Sequence, residues 1–341
     1  MSYEQSHLIS KLPFTPRFII FDESTRLKSA RRSGNAGHAN KWLKLARKCG
    51  RVWLMTAEPM PQNCEDAYGQ SLFVETNRDT ALFGTLDAFR ETYRTPHPHV
   101  KNVYSDQHDA VSRVTSVIVP HCVMMAPPQV TLPDFQEVRF SLGSEQKHYA
   151  QLQRARVLTG YGVELVPANP AVLAAKLLQI SSGFVYVDNA DPHTLGNARL
   201  AALRELLATI TGECVLISYT YIESASRIAY ALGARLLTKP RDFDDWNAGR
   251  VPIALVHPKS CGHGLDLQHG GRRLIIYETI DSYDLHYQLI ERLGPRRQAS
   301  SGYDRQVIVH SLIADGTLDD TRKVRREGYE NFITTLNKET N

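Results

Sequence analysis

Several features are scarce in this sequence, and each scarcity excludes a class. The five cysteines (Cys49, Cys64, Cys122, Cys214, Cys261) lie far apart and form no CxxC pair. That argues against a disulfide framework and a zinc site, and leaves reduced thiols. No HExxH occurs among the 13 histidines. His97 and His99 in TPHPHV alternate with prolines and read as an exposed turn, so no metal is assigned to histidine. No run of 18 or more apolar residues is present, so no membrane span is expected. The opening MSYEQSHLISKLPF lacks the basic-then-apolar pattern of a signal peptide, which makes a cytoplasmic location the expectation. Repeats and low-complexity tracts are missing. Charge is nearly balanced: 40 Lys and Arg against 36 Asp and Glu leave a net +4, too weak to establish a nucleic-acid partner without a look at its distribution.

What is there is an ordinary globular composition, 42% hydrophobic and 22% charged over 341 residues. That length suggests two domains at roughly 150 residues each. Short apolar runs read as strands at Phe18 to Phe21, Val52 to Met55, Val215 to Ser218, Arg235 to Leu237, Ile253 to Val256, Leu274 to Tyr277 and Val307 to Leu312. Helical patterns lie between them at Asn40 to Lys48, Ser144 to Arg156, Ala171 to Ile180, Arg199 to Ile210, Glu223 to Leu232, Tyr283 to Leu293 and from Leu318 onward. Unalternated apolar strands separated by helices predict parallel sheets covered on both faces, and hence an α/β class. The Pro-rich MAPPQVTLPDF, residues 125 to 135, marks the boundary between two lobes, 1–130 and 131–341. Thr317 is expected to cap the last helix, with Asp319 at its positive end, Asp320 at the capping-box position, and Lys323, Arg325 and Arg326 forming a basic face.

Four stretches could carry chemistry. In RFIIFDEST a buried-looking strand runs into Asp22 and Glu23, and strand carboxyl ends are where α/β sheets place ligands. One carboxylate there could hold Mg²⁺ through water while the other orients a hydrolytic water. From Ser24 to Ala57 there are nine basic residues, Lys28, Arg31 and Arg32 among them, and no acidic one, a cationic stretch suited to phosphates. In VHPKSCGHGLDLQHGG, Gly262, Gly264, Gly270 and Gly271 permit positive φ and close backbone approach, as phosphate or ribose binding requires. In YDLHYQLIERLGPRRQ, Gln288 and Arg292 share a helix face, and Arg296 and Arg297 follow a Gly-Pro break. The bland readings are a polar turn, a solvated face, a glycine turn and a surface helix with a basic end.

In this order, the segments resemble the Swi/Snf-type branch of superfamily-two helicases and translocases, especially small phage-encoded members. FDESTRLKS resembles motif II, the DExx box; WLMTAEPMPQNCEDAYGQ resembles motif III; HPKSCGHGLDLQHGG and QLIERLGPRRQ resemble motifs V and VI. KLLQISSGFVY with NARLAALRELL resembles the start of the second lobe, and IVHSLIADGTLDD the strand, turn and helix near its end. The resemblance implies an α/β fold of two RecA-like lobes with mainly parallel sheets, the first incomplete at its N-terminus. It also implies ATP and Mg²⁺ as cofactors and DNA as a partner, with RNA as the other option and no membrane. Asp22 would coordinate Mg²⁺ and Glu23 would polarise the attacking water. Arg292, with Arg296 or Arg297, would stabilise transferring charge. Gly262, Gly264, Asp266 and Gln288 would lie near the nucleotide, and Lys28, Arg31, Arg32, Thr56, Ser260 and His263 near nucleic acid. In a phage-encoded protein the compartment would be the host cytoplasm.

The departures from that pattern shape the expectation. No GxxxxGK[ST] loop occurs anywhere in the sequence, and 21 residues precede Asp22. MSYEQSHL itself resembles the segment just upstream of motif II. Motif III reads TAEP, which brings Glu58 to the track, and Pro295 stands at the second motif VI arginine. The leading expectation is therefore the C-terminal part of a split ATP-dependent translocase. A second polypeptide would supply the phosphate-binding loop and the first strands of the first lobe. The alternatives are a catalytically inactive, helicase-like binding module and a trimmed piece of a longer helicase.

Overall fold

The computed structural model describes residues 2–320 except 33–36, 57–58, 61–62, 76–80, 99–102, 124–129, 156, 161–162, 188–190, 262–264 and 281. The chain divides into two units, Met1–Pro127 and Pro128–Asn341.

In the first unit the runs FIIFD and RVWLM become β1 (Phe18–Asp22) and β2 (Arg51–Met55), paired in parallel from Phe18↔Arg51 to Asp22↔Met55. A parallel pair needs a crossover, and this one carries α1 (His38–Ala46), which buries Ala39, Trp42, Leu43, Leu45 and Ala46. The Trp42 ring meets Phe21 edge-on at 5.7 Å, and its indole N–H donates to the Tyr3 carbonyl at 3.1 Å. Phe73 of α2 (Glu65–Val74) closes the cluster, 5.2 Å from Phe21. Gly69 lets α2 rest on the turn after β1, because a Cβ there would lie 2.1 Å from the Lys28 carbonyl oxygen. The unit continues through α3 (Leu86–Tyr93), the antiparallel β3 (Arg94–Pro96) and β4 (Tyr104–Asp106), and α4 (Ala110–Ile118).

The β1–β2 sheet is lopsided. Phe21 and Val52 are buried on one face. Phe18, Ile20, Trp53 and Met55 alternate with them onto the other and are 64, 46, 59 and 51% exposed. Among the described residues the sheet has two strands, so its outer edges are unpaired. Parallel sheets normally have both faces covered.

The second unit is built on one six-stranded sheet. Its edge strand β5 (Asp134–Phe140) comes first, followed by α5 (Glu145–Ala155), the hairpin β6 (Leu158–Gly160) and β7 (Val163–Leu165), and α6 (Pro170–Ser181). Asn169 caps α6 by accepting the Ala171 and Val172 N–H groups, with Pro170 at the first helical position. A small pair, β8 (Phe184–Val185) and β9 (His193–Thr194), leads to α7 (Ala198–Thr209). Then come β10 (Val215–Ser218), α8 (Ile222–Leu232), β11 (Arg235–Leu236), α9 (Pro240–Asn247), β12 (Ile253–Val256) and β13 (Arg273–Ile276). The helices α10 (Tyr283–Leu293) and α11 (Pro295–Ser300) and the strand β14 (Ile308–Ala314) complete the unit.

The order is β11-β12-β10-β13-β14-β5, parallel throughout. Period two sends Leu216, Val256, Leu274, Ile276 and Val309 to a core with α9 and α10, and Ile217, Leu255, Ile275 and Leu312 to one with α7 and α8. Both faces are thus covered, and the α/β class with a mainly parallel sheet is established. The chain leaves β10 toward β11 and leaves β13 toward β14, so the topological switch lies between β10 and β13, where α/β sheets open a crevice.

Two expectations need adjusting. β5 begins inside the Pro-rich stretch read as a boundary; its polar DFQEVRF suits an edge strand and hid it from a search for apolar runs. Thr317 accepts the Asp319 N–H at 3.2 Å where a helical turn starts at Leu318, and Asp319 in that turn is fully buried against Arg199. Asp320, however, accepts the Gly316 N–H at 2.9 Å instead of the Thr317 N–H that a capping box uses. Lys323, Arg325 and Arg326 lie outside the described residues.

Candidate active site

β1 delivers Asp22 to the carboxyl end of its sheet, in register with Met55, so Thr56 emerges at the same end from β2. Glu23 follows in the left-handed region, φ 53° and ψ 55°, the one non-glycine residue with positive φ among those described. Such a conformation costs a side-chain-bearing residue on the order of 1–3 kcal/mol and persists where the surroundings impose it. Here the surroundings are visible. The Glu23 N–H donates to Asp22 Oδ1 at 3.0 Å, and the Glu23 carbonyl accepts the Arg26 N–H at 3.1 Å. The Tyr3 hydroxyl donates to the Asp22 carbonyl at 2.5 Å. Burial, with Asp22 adding to it, pushes the Tyr3 hydroxyl well above its ordinary pKa, so it stays a donor.

Gln70 of α2 joins the two strand ends. Buried Ser24 donates to Gln70 Oε1 at 2.7 Å, while Gln70 Nε2 donates to the Pro59 carbonyl at 2.5 Å and the Asp66 carbonyl at 3.0 Å. The turn after the acid pair and the segment after Thr56 are thereby pinned to one side chain. Sequence reasoning named neither Gln70 nor Tyr3; a polar residue inside an otherwise buried helix was the available clue for the first.

The cationic stretch is organised differently from its reading in sequence. Lys28 sits 3.6 Å from Asp66, Arg31 3.3 Å from Glu65 and Arg32 2.5 Å from Glu75. The carboxylates come from α2 and its end, outside the acid-free window. Lys28, Arg31 and Arg32 are therefore ion-paired within the unit.

In the second unit, the loops after β10, β12 and β13 gather at the switch. Ser260 is exposed in a short turn after β12, where its N–H reaches the His257 carbonyl at 2.8 Å. Gly262, His263 and Gly264 lie outside the described residues, as does Glu58 of the first unit. Asp266 forms an ion pair with Arg297, so the structure brings together one residue of the expected motif V and one of motif VI. Gln288 and Arg292 lie on α10, half-buried, and Arg296 is exposed at the start of α11. Gln298 locks these segments: its Nε2 donates to the carbonyls of Leu293 (2.9 Å) and Gly271 (3.0 Å), and Arg305 donates to its Oε1 at 2.7 Å.

Gly270 and Gly271 correct an expectation. Neither has positive φ. A Cβ on Gly270 would lie 2.4 Å from the Trp246 ring, and one on Gly271 2.8 Å from the Cys214 carbonyl oxygen. They make room for Trp246, which is fully buried and donates to the Leu267 carbonyl at 2.8 Å.

Glu278, just past β13, is buried and accepts the Thr220 N–H at 2.6 Å and the Ser224 hydroxyl. Burial raises its carboxyl pKa. Between the unfolded and folded values the folded chain keeps a proton that the unfolded chain releases, so stability falls as pH rises through that window. Glu278→Gln should flatten that fall and leave the protein more stable than the wild type above it. Urea unfolding across the pH range measures this; an unchanged slope contradicts it.

No family model matches the chain. It is 31% identical over 326 residues to Putative protein p41 of Acyrthosiphon pisum secondary endosymbiont phage 1, a match covering 90% of this chain and 69% of that protein. Among solved structures it is similar to the C-terminal part of the Fun30 ATPase domain (13% identity, 58% of this chain and 90% of that one, TM-score 0.42). It is also similar to the Sulfolobus solfataricus SWI2/SNF2 ATPase core in complex with dsDNA (17% identity, 93% and 68%, TM-score 0.40). No helix among the described residues is long and apolar enough to cross a membrane.

Proposed function

The chain belongs to the family of phage protein p41, and we propose that it is the part of a Swi/Snf-type, ATP-dependent nucleic-acid translocase that carries motifs II to VI. Its phosphate-binding loop comes from a second polypeptide. The observation that carries this reading is Glu23, held in the left-handed region directly after a strand that ends in Asp22. Strain of that kind marks a residue whose placement matters more than its comfort. Both side chains offer the hard oxygen donors that Mg²⁺ prefers. Bound Mg²⁺ would neutralise phosphate charge; Asp22 would hold it and Glu23 would orient the attacking water. Asp266, Gln288, Arg292, Arg296 and Arg297, with Gly262 and Gly264, are the second unit's share of the reading. Thr56, Ser260 and His263, with Lys28, Arg31 and Arg32, are its nucleic-acid share, the last three through residues that must first leave their carboxylate partners.

The bare β1–β2 face supports a second polypeptide. Fully burying a large apolar side chain is worth about 1.5–3 kcal/mol, and four of them stand on one open sheet face. Added parallel strands and a helix would cover the face and a free edge.

The test combines the chain with a second polypeptide that carries GxxxxGK[ST], sought first in the neighbouring reading frames. We expect background phosphate release from the 341 residues alone and steady hydrolysis from the pair. Trp42 and Trp246 are buried whereas Trp53 is exposed, so acrylamide quenching should fall as the pair forms. Robust hydrolysis by the unpaired chain contradicts the split site, and unchanged quenching in an active pair contradicts the docking face.

A further inference from the structure

The first unit has a second cationic feature, separate from the ion-paired Lys28, Arg31 and Arg32. An open groove of about 630 Å³ runs between the helical turn Tyr3–Lys11, with the segment after it, and α1. Lys41, Lys44 and Lys48 line one wall, and among the described residues no carboxylate lines any part of it. Phe14, 65% exposed, stands in the lining with Ser10 and Thr15. Lys41 and Lys44 are three residues apart on one face of α1, and Lys48 follows in the turn just past its end.

We propose that this groove binds single-stranded nucleic acid, with the phosphates on Lys41, Lys44 and Lys48 and a base stacked on Phe14. A row of cations opposite an exposed aromatic ring is the combination that sequence-independent single-strand binding uses. An acidic peptide would find the cations but would leave the ring without a stacking partner. The inference rests on the nucleic-acid part of the proposed function. It needs no nucleotide, so loss of ATP hydrolysis and loss of strand binding are separate results.

The experiment is fluorescence anisotropy of a labelled single strand of about 12 nucleotides with the full chain, without nucleotide, at several salt concentrations. Lys41→Gln/Lys44→Gln/Lys48→Gln should weaken binding by about 10-fold or more and reduce the salt slope by about 2, near 0.7 for each phosphate no longer neutralised. Phe14→Ala should weaken it by about 5-fold or more, and Phe14→Trp should restore it. A control that removes equal charge from the second unit, Lys147→Gln/Arg204→Gln/Arg241→Gln, should stay within about 2-fold, since it touches only long-range attraction. The proposal is overturned if the groove and control variants behave alike, if Phe14→Ala has no effect, or if a labelled oligoglutamate of the same length binds more tightly than the strand.

Discussion

Arg199→Met should destabilise the second unit by about 3–5 kcal/mol, the cost of leaving a buried charge without its partner. Arg199 and Asp319 are both fully buried and ion-paired. The guanidinium also donates to the carbonyls of Tyr277 (2.6 Å), Leu312 (3.0 Å) and Ser181 (3.2 Å), tying the ends of β13, β14 and α6 together. Asp319 in turn accepts from the Thr279 hydroxyl at 3.0 Å and the Ala314 N–H at 3.2 Å. The rings of Phe140 and Tyr277 flank the cation at 5.1 and 5.9 Å. Removing the cation strands a carboxylate where water does not reach, and three carbonyls lose a donor. Replacing both partners, Arg199→Met with Asp319→Leu, should cost less than the sum of the single losses, because neither charge is then orphaned. Urea unfolding of the four proteins measures this cycle. A single-variant loss below about 1 kcal/mol would contradict a buried, structural ion pair.

The sheet of the second unit was legible because its strands are buried on both faces. VLIS and IALV read as unbroken apolar runs, and both strands occur where those runs lie. The edge strand β5 escaped because one side of it meets water, and DFQEVRF carries the polar residues that this permits. The acid pair was legible as a strand ending in two carboxylates. The left-handed Glu23 was not, since nothing in FDEST distinguishes a strained acid from one in an ordinary turn. The cationic stretch misled for a related reason: a window of sequence counts charges along the chain, whereas α2 folds Glu65, Asp66 and Glu75 back onto Lys28, Arg31 and Arg32. The glycines of QHGG were legible as a close approach, but to Trp246 and not to a phosphate.

Asp22 and Glu23 are proposed to form a hydrolytic site. Glu23→Gln keeps the length and shape of the side chain and its place after β1 but removes the group that would polarise water. General-base residues contribute typically ~10²–10⁴-fold to rate, so the variant should bind nucleotide and scarcely turn it over. The decisive measurement is single-turnover phosphate release by the chain paired with its loop-bearing partner, wild type against Glu23→Gln, with nucleotide binding followed in parallel. Release should fall by about 100-fold or more with binding retained; release at the wild-type rate would contradict a hydrolytic role for Glu23.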